Sequence, residues 1–234
     1  MSDPQATSRQ PIASRIHTVV LLAVVAVWAW LGAVSAARMR SHREASLIIV
    51  YSSTMIFEWL IVGYVAWGIR RRGGSLRQLI GGSWGRMKDL GRDVLVAMGF
   101  WLGSIICLAL LALALYARPN VEAVRFLAPR THGQMAIWLL TALSAGICEE
   151  IIFRGYLQRQ FIALSGLPVL GILLSAAVFG AVHAYQGAKQ TIILGFYGAM
   201  FGILAYRRRS LRPGMMAHAW QDTVSGLVIH LLPK

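Results

Sequence analysis

The apolar residues of this chain fall into blocks of 18 or more that carry almost no charge, and no other feature constrains the fold as strongly. About 20 such residues in a helix span a hydrocarbon core, whereas a soluble helix of that length would carry a polar face. These blocks carry none. Hydrophobic residues make up 57% of the 234, well above the roughly 45–50% apolar content of soluble domains. The mean hydropathy is +0.60. The predicted fold class is therefore all-α, a polytopic transmembrane helix bundle. Seven spans are predicted, at about 16–37, 46–69, 93–117, 135–154, 168–185, 189–206 and 214–232, from apolar run length and flanking charge. The first run, after Arg15, exceeds the h-region of a signal peptide and is expected to stay as an uncleaved span.

Lys and Arg number 23 against 9 Asp and Glu, a formal net charge of +14. The positive residues sit in short segments between apolar blocks, which marks topology and contact with anionic lipid rather than nucleic-acid binding. Residues 70–92 concentrate Arg70, Arg71, Arg72, Arg77, Arg86, Lys88 and Arg92, with Gly73, Gly74, Gly81, Gly82 and Gly85 between them, and are expected to form a long flexible basic loop. Placing that loop in the cytoplasm threads the N-terminus, residues 154–167 and the Arg207–Arg212 segment to the same side. Fifteen of the Lys and Arg residues, Arg9 and Arg15 among them, then lie inside. Eight lie outside: Arg38, Arg40, Arg43, Arg118, Arg125, Arg130, Lys189 and Lys234. The expected localisation is an integral, multi-pass protein of the cell membrane with a cytoplasmic N-terminus. Cys107 and Cys148 lie inside apolar blocks and indicate no disulfide framework. Gly81 to Lys88 superficially suggests a phosphate loop but lacks the GK[ST] ending.

Ionisable groups within spans cost roughly 2.5–3.5 kcal/mol each at the bilayer centre, and persist mainly where they pair, face water or do chemistry. Glu58, Glu149, Glu150, His183, His218 and Asp222 are such groups. Neighbours on a helix point about 100° apart, so Glu149 and Glu150 cannot share a face. Glu150 and Arg154 are spaced i,i+4 and can pair, which leaves Glu149 turned away and able to bind water. Phe179 and His183 are also i,i+4, as are His218 and Asp222. Glu58 is expected to pair with an arginine of another helix, and His230 has no evident partner. If the fourth helix runs on to about Leu164 and turns at Ser165-Gly166-Leu167-Pro168, Glu149 and His183 sit at equal height on antiparallel neighbours. His218 lies only a few residues beyond a basic segment, so its span must start deep in a cavity or the boundaries must shift. Gly195, Gly198 and Gly202 lie near one face of the sixth span, a spacing that serves close helix packing or dimerisation.

The segments EEIIFR at Glu149–Arg154, FGAVH at Phe179–His183 and HAWQD at His218–Asp222 resemble, in order, the EExxxR, FxxxH and Hxxx[N/D] motifs of the CPBP family of CAAX prenyl endopeptidase and bacteriocin-processing (Abi-like) proteins. The resemblance covers about residues 135–232. It divides the chain into an N-terminal transmembrane region, 1–134, and a catalytic core, 135–234. It implies an intramembrane endopeptidase acting on a membrane-associated or lipidated peptide, with membrane lipid and that peptide as partners and up to eight spans. By the same resemblance, Glu149 and His183 activate water, Glu150 and Arg154 hold the helix with Phe179 in support, and His218 and Asp222 stabilise the oxyanion.

Two departures from the family pattern matter: seven spans are predicted where prenyl endopeptidases have eight, and the other lies at Asp222. Asp222 stands where prenyl endopeptidases usually carry asparagine, and an ionised carboxylate would repel an oxyanion. Asp222 must therefore be protonated, orient His218 or help hold a metal. The family has also been described as metal-dependent. HExxH is absent, and Glu149, His183 and His218 would have to assemble as zinc ligands from three helices, so no cofactor is expected to be required, with zinc as the alternative. Competing readings are a non-catalytic immunity or scaffold protein retaining the fold, and a proton-relaying transporter, against which stands the lack of an inverted repeat.

Overall fold

The computed structural model describes residues 10–41, 46–82, 85–117 and 125–231. Arg9, Arg43, Arg118 and Lys234 of the charge count lie outside them. The chain is helical throughout the described residues: α1 (Arg15–Ser41), α2 (Leu47–Arg70), the short α3 (Leu76–Ile80), α4 (Met87–Ala114), α5 (His132–Glu149), a π-helical segment (Glu150–Leu157), α6 (Gln158–Ser165), α7 (Pro168–Val182), a 3₁₀ turn (Ala184–Gln186), α8 (Ala188–Arg208) and α9 (Arg212–Leu231).

Among the described residues, five stretches are long and apolar enough to cross a membrane: Arg15–Met39, Leu47–Arg70, Met87–Ala114, His132–Ser165 and Ala188–Arg208. Their outward faces carry large apolar side chains such as Val19, Leu60, Leu95 and Leu113, exposed as only lipid contact tolerates. The protein is thus a multi-pass helical membrane bundle. Two of the seven expected spans fall short of that standard. α7 has 15 residues, roughly 22 Å of helix against a hydrocarbon core of about 30 Å. The expected span at 168–185 had absorbed the separate 3₁₀ turn. α9 holds Arg212, His218, Gln221 and Asp222 in its first three turns and lacks an uninterrupted apolar length.

The fourth span is the axis of the bundle. α5, the π-helical segment and α6 run on as one 34-residue rod, and it is the most buried of the five. The expected extension past Arg154 is present. It stops at Gly166, whose φ of +72° caps the helix in the left-handed conformation, and Pro168 opens α7. α2, α7 and α9 pack on the rod, α8 packs on α7, and α4 packs on α9. The glycines of α8 serve packing within the chain: a Cβ on Gly198 would meet Phe179 and Ala176, and one on Gly202 would meet Gln158 and Ile172.

Residues 70–92 are more ordered than the sequence leads one to expect. Ser75 and Gln78 form a reciprocal capping box that starts α3. Ile80 accepts a hydrogen bond from the Leu211 backbone (2.8 Å), and α4 begins at Met87, before the basic stretch ends. This segment underlies the α8–α9 turn and lets α9 start at Arg212. Asp93 fastens the same corner through Arg208 (3.5 Å) and Arg212 (3.1 Å).

α1 is joined to the rod by buried polar contacts rather than by charge. His17 stacks on Tyr64 (centroids 4.0 Å apart) and its Nδ1 lies 2.7 Å from the Tyr156 hydroxyl. Gln160 donates to Thr18 and to the Ala13 carbonyl. Helices without a hydrophobic force between them in lipid depend on close fit and such bonds.

A close helix crossing lies between α5 and α9, at Gly146, where a Cβ would sit 2.7 Å from the Ala219 nitrogen and 2.9 Å from the Met215 oxygen. Backbone cannot step aside, so Gly146→Val is expected to destabilise the bundle by roughly 1–3 kcal/mol. Thermal unfolding in detergent measures this, with Gly63→Val, where nothing lies within 4 Å, as the tolerated control.

Candidate active site

Glu150 and Arg154 are the most deeply buried charges of the site, 0% and 2% exposed. The i,i+4 pair forms as the sequence predicts: Arg154 Nη1 donates to Glu150 Oε1 at 2.9 Å. Arg154 Nη2 also donates to the Gly198 carbonyl of α8 (3.3 Å). The guanidinium lies over Phe179 (4.3 Å to the ring centroid) and Phe201 (4.9 Å). One arginine thus gathers the rod, α7 and α8. The π-helical turns begin at Glu150, a distortion of the helix common at functional sites.

His218 is 5% exposed and enters from α9. Its Nδ1 lies 3.1 Å from Glu150 Oε1, and its Nε2 lies 3.6 Å from Glu149 Oε2 and 3.7 Å from Asp222 Oδ2. Phe201 and Phe179 flank the ring at 5.2 and 6.1 Å. Each ring nitrogen faces a carboxylate, so an imidazolium, with a proton on both, serves Glu150 through Nδ1 and one of Glu149 and Asp222 through Nε2. The early start of α9 resolves the depth of His218: Ser210 and Leu211 are already buried, so the helix begins inside the protein.

Glu149 keeps clear of Arg154. Its Oε2 is buried without a hydrogen-bond partner, with only the longer approach to His218. Glu149 and His183 line the same cavity, of about 530 Å³. His183 caps the C-terminus of α7. Its Nδ1 lies 2.8 Å from the Phe179 carbonyl, which can only accept, so a neutral ring carries its lone pair on Nε2. Phe179 is in ring contact with His183 at 4.8 Å. All seven candidate residues therefore converge from the rod, α7 and α9.

One further acid belongs here, and its expected role is overturned. Among the described residues, Glu58 of α2 forms no ion pair with an arginine. It lines the same cavity as Glu149, 8% exposed, with Oε2 lacking a hydrogen-bond partner. Its neighbours are Ser144, Glu149, Asp222 and His218. The sequence signal was the cost of an acid in an apolar span, but nothing local said which helix it would face. His230 does have a partner, the Pro129 carbonyl at 2.7 Å from Nδ1.

Among the described residues no three His, Cys, Asp or Glu side chains come together as a metal-binding group. Glu149, His183 and His218 thus do not fit a zinc ligand set as arranged, and no step below is routed through a metal.

These features define a helical membrane protein with a buried acid–imidazole centre beside an apolar cavity. Residues 131–224 match the family described as type II CAAX prenyl endopeptidase Rce1-like. That segment belongs to the Rce1-like, CAAX-type family of intramembrane peptidases, and it contains all seven candidate residues. Comparison with curated proteins and with solved structures gave no match.

Removing one partner of a buried ion pair strands the other charge, at a cost of about 3–5 kcal/mol. Arg154→Met is expected to lose that much stability, and Glu150→Gln/Arg154→Met less than the sum of the two single changes. Thermal unfolding of the four proteins checks the cycle.

Proposed function

We propose that this protein is an intramembrane endopeptidase that hydrolyses a peptide bond in a membrane-associated or lipidated peptide. What carries the reading is a single arrangement. Glu149, with no arginine to neutralise it, and His183, with its Nε2 lone pair, line one cavity whose other residues are mostly apolar. A water there can donate one hydrogen to the carboxylate and one to the imidazole, leaving an oxygen lone pair for attack.

In the first step the water oxygen bonds to the scissile carbonyl carbon while Glu149 takes the proton. The resulting oxyanion needs a donor, and His218 Nε2 is the candidate. Collapse breaks the C–N bond, and the proton held on Glu149 passes to the departing amine. Glu150 and Arg154 position the helix and Phe179 supports both histidines. For Asp222 the 3.7 Å approach to His218 Nε2 favours orientation of the imidazole over direct contact with the oxyanion. Asp222 and the oxyanion would then share the Nε2 side of His218.

The same reading takes residues 135–234 as the catalytic core and residues 1–134 as the region that completes it. The N-terminus lies in the cytoplasm, and α7 and α9 traverse as the two remaining members of a seven-helix set. Membrane lipid surrounds the apolar flanks.

Glu149→Gln and His183→Ala are each expected to lower kcat by roughly a hundredfold or more. Asp222→Asn should stay within about tenfold, because the amide oxygen still accepts from His218, whereas Asp222→Leu should not. Release of product from lipidated and unmodified membrane peptides by purified protein measures all four; hydrolysis that survives both of the first two changes ends the reading.

A further inference from the structure

The cavity is built by two different parts of the chain. Glu149, Ile152, Phe153, Val182 and His183 come from the family segment, but most of the wall comes from α1 and α2. Trp28 and Phe57 stack across it with centroids 3.8 Å apart, and Gly32 leaves space open. Among the described residues, no Lys or Arg lines the cavity. Its charged lining consists of Glu58 and Glu149, with His183 alongside.

The balance of charge around this space is uneven. Glu150 is matched by Arg154, and Arg154 has its remaining contacts on Gly198 and the phenyl rings. His218, as imidazolium, answers for one of Glu149 and Asp222, which both approach its Nε2. Glu58 is left with Ser144 as its hydrogen-bonding neighbour, shares the nearby imidazole of His218 with Glu149, Glu150 and Asp222, and its Oε2 has no hydrogen-bond partner. A carboxyl group more than nine-tenths buried, bordering an apolar cavity with no cation among the described lining residues, is costly to ionise in the protein alone. A ligand that brings the cation removes that cost.

We infer that Glu58 is a specificity-determining residue that receives a cationic side chain, lysine or arginine, of a peptide lying in the α1–α2 cavity. The apolar wall around Trp28 and Phe57 takes the hydrophobic part of the same peptide, and Glu58 reads the charge beside it. An acidic residue at that position meets two carboxylates and is rejected. The inference rests on the endopeptidase reading for the presence of a peptide in this cavity and names the substrate class that reading leaves open.

Binding separates the two ideas. Fluorescent apolar peptides, each with one lysine moved along the sequence, are compared with norleucine and glutamate counterparts for binding to the Glu149→Gln protein, in which Glu58 is the carboxylate left in the cavity lining. At one position the lysine peptide is expected to bind on the order of 30-fold tighter than the norleucine peptide. Glu58→Gln in that background erases the difference, Glu58→Asp keeps part of it, and Glu58→Lys turns the preference towards glutamate. In the Glu149-containing protein the same preference appears in KM more than in kcat. Lysine and norleucine peptides that bind alike at every position overturn the proposal, as does a lysine preference that survives Glu58→Gln. A lysine preference without any hydrolysis upholds the role of Glu58 and removes the endopeptidase reading.

Discussion

The Glu150–Arg154 pair is the contact on which the site depends. Two charges this deeply buried are tolerable only when they are paired and well bonded, and the pair recruits its surroundings through Arg154 and Glu150 Oε1, while Glu150 Oε2 has no hydrogen-bond partner. Arg154 bonds to the backbone of α8 and lies over rings from α7 and α8, while Glu150 Oε1 also faces Nδ1 of His218 on α9. An ion pair local to one helix turn therefore fixes three other helices. Its geometry also decides the state of Glu149, because the arginine is fully committed one residue away.

Around that anchor the bundle solves a second problem. Lipid offers no water to satisfy polar groups, so each polar side chain must find a partner inside the protein or border a cavity. His17, Tyr156, Thr18 and Gln160 do the first, joining α1 to the rod. Glu58, Glu149 and His183 do the second. The division separates polar residues that hold the fold from those available to a ligand. It follows from bond satisfaction and not from position in the chain.

The family segment and the rest of the chain contribute unequally to the two halves of the site. Residues 131–224 carry the acid–imidazole centre, and α1 and α2 carry most of the cavity wall. A division of this kind lets the reacting groups stay fixed while the groove that receives a substrate is built from other helices. Glu58 belongs to the second half, which is why the motifs in the segment give no sign of it.

Local spacing was enough to determine the helical membrane class, the i,i+4 pair of Glu150 and Arg154, the shared faces of Phe179 with His183 and His218 with Asp222, and the turn at Gly166. Each follows from a period of 3.6 residues or from an apolar run length, which neighbours in sequence already contain. The tertiary structure decided what depends on distance across helices. It drew His218 onto Glu150 as well as Asp222, and it turned Glu58 towards the cavity instead of an arginine. It shortened α7 by separating the 3₁₀ turn, and folded the basic segment under the α8–α9 turn so that α9 could start inside the protein. A buried charge announces in sequence that it needs a partner. Which partner it meets is set by the packing of helices that lie dozens of residues apart.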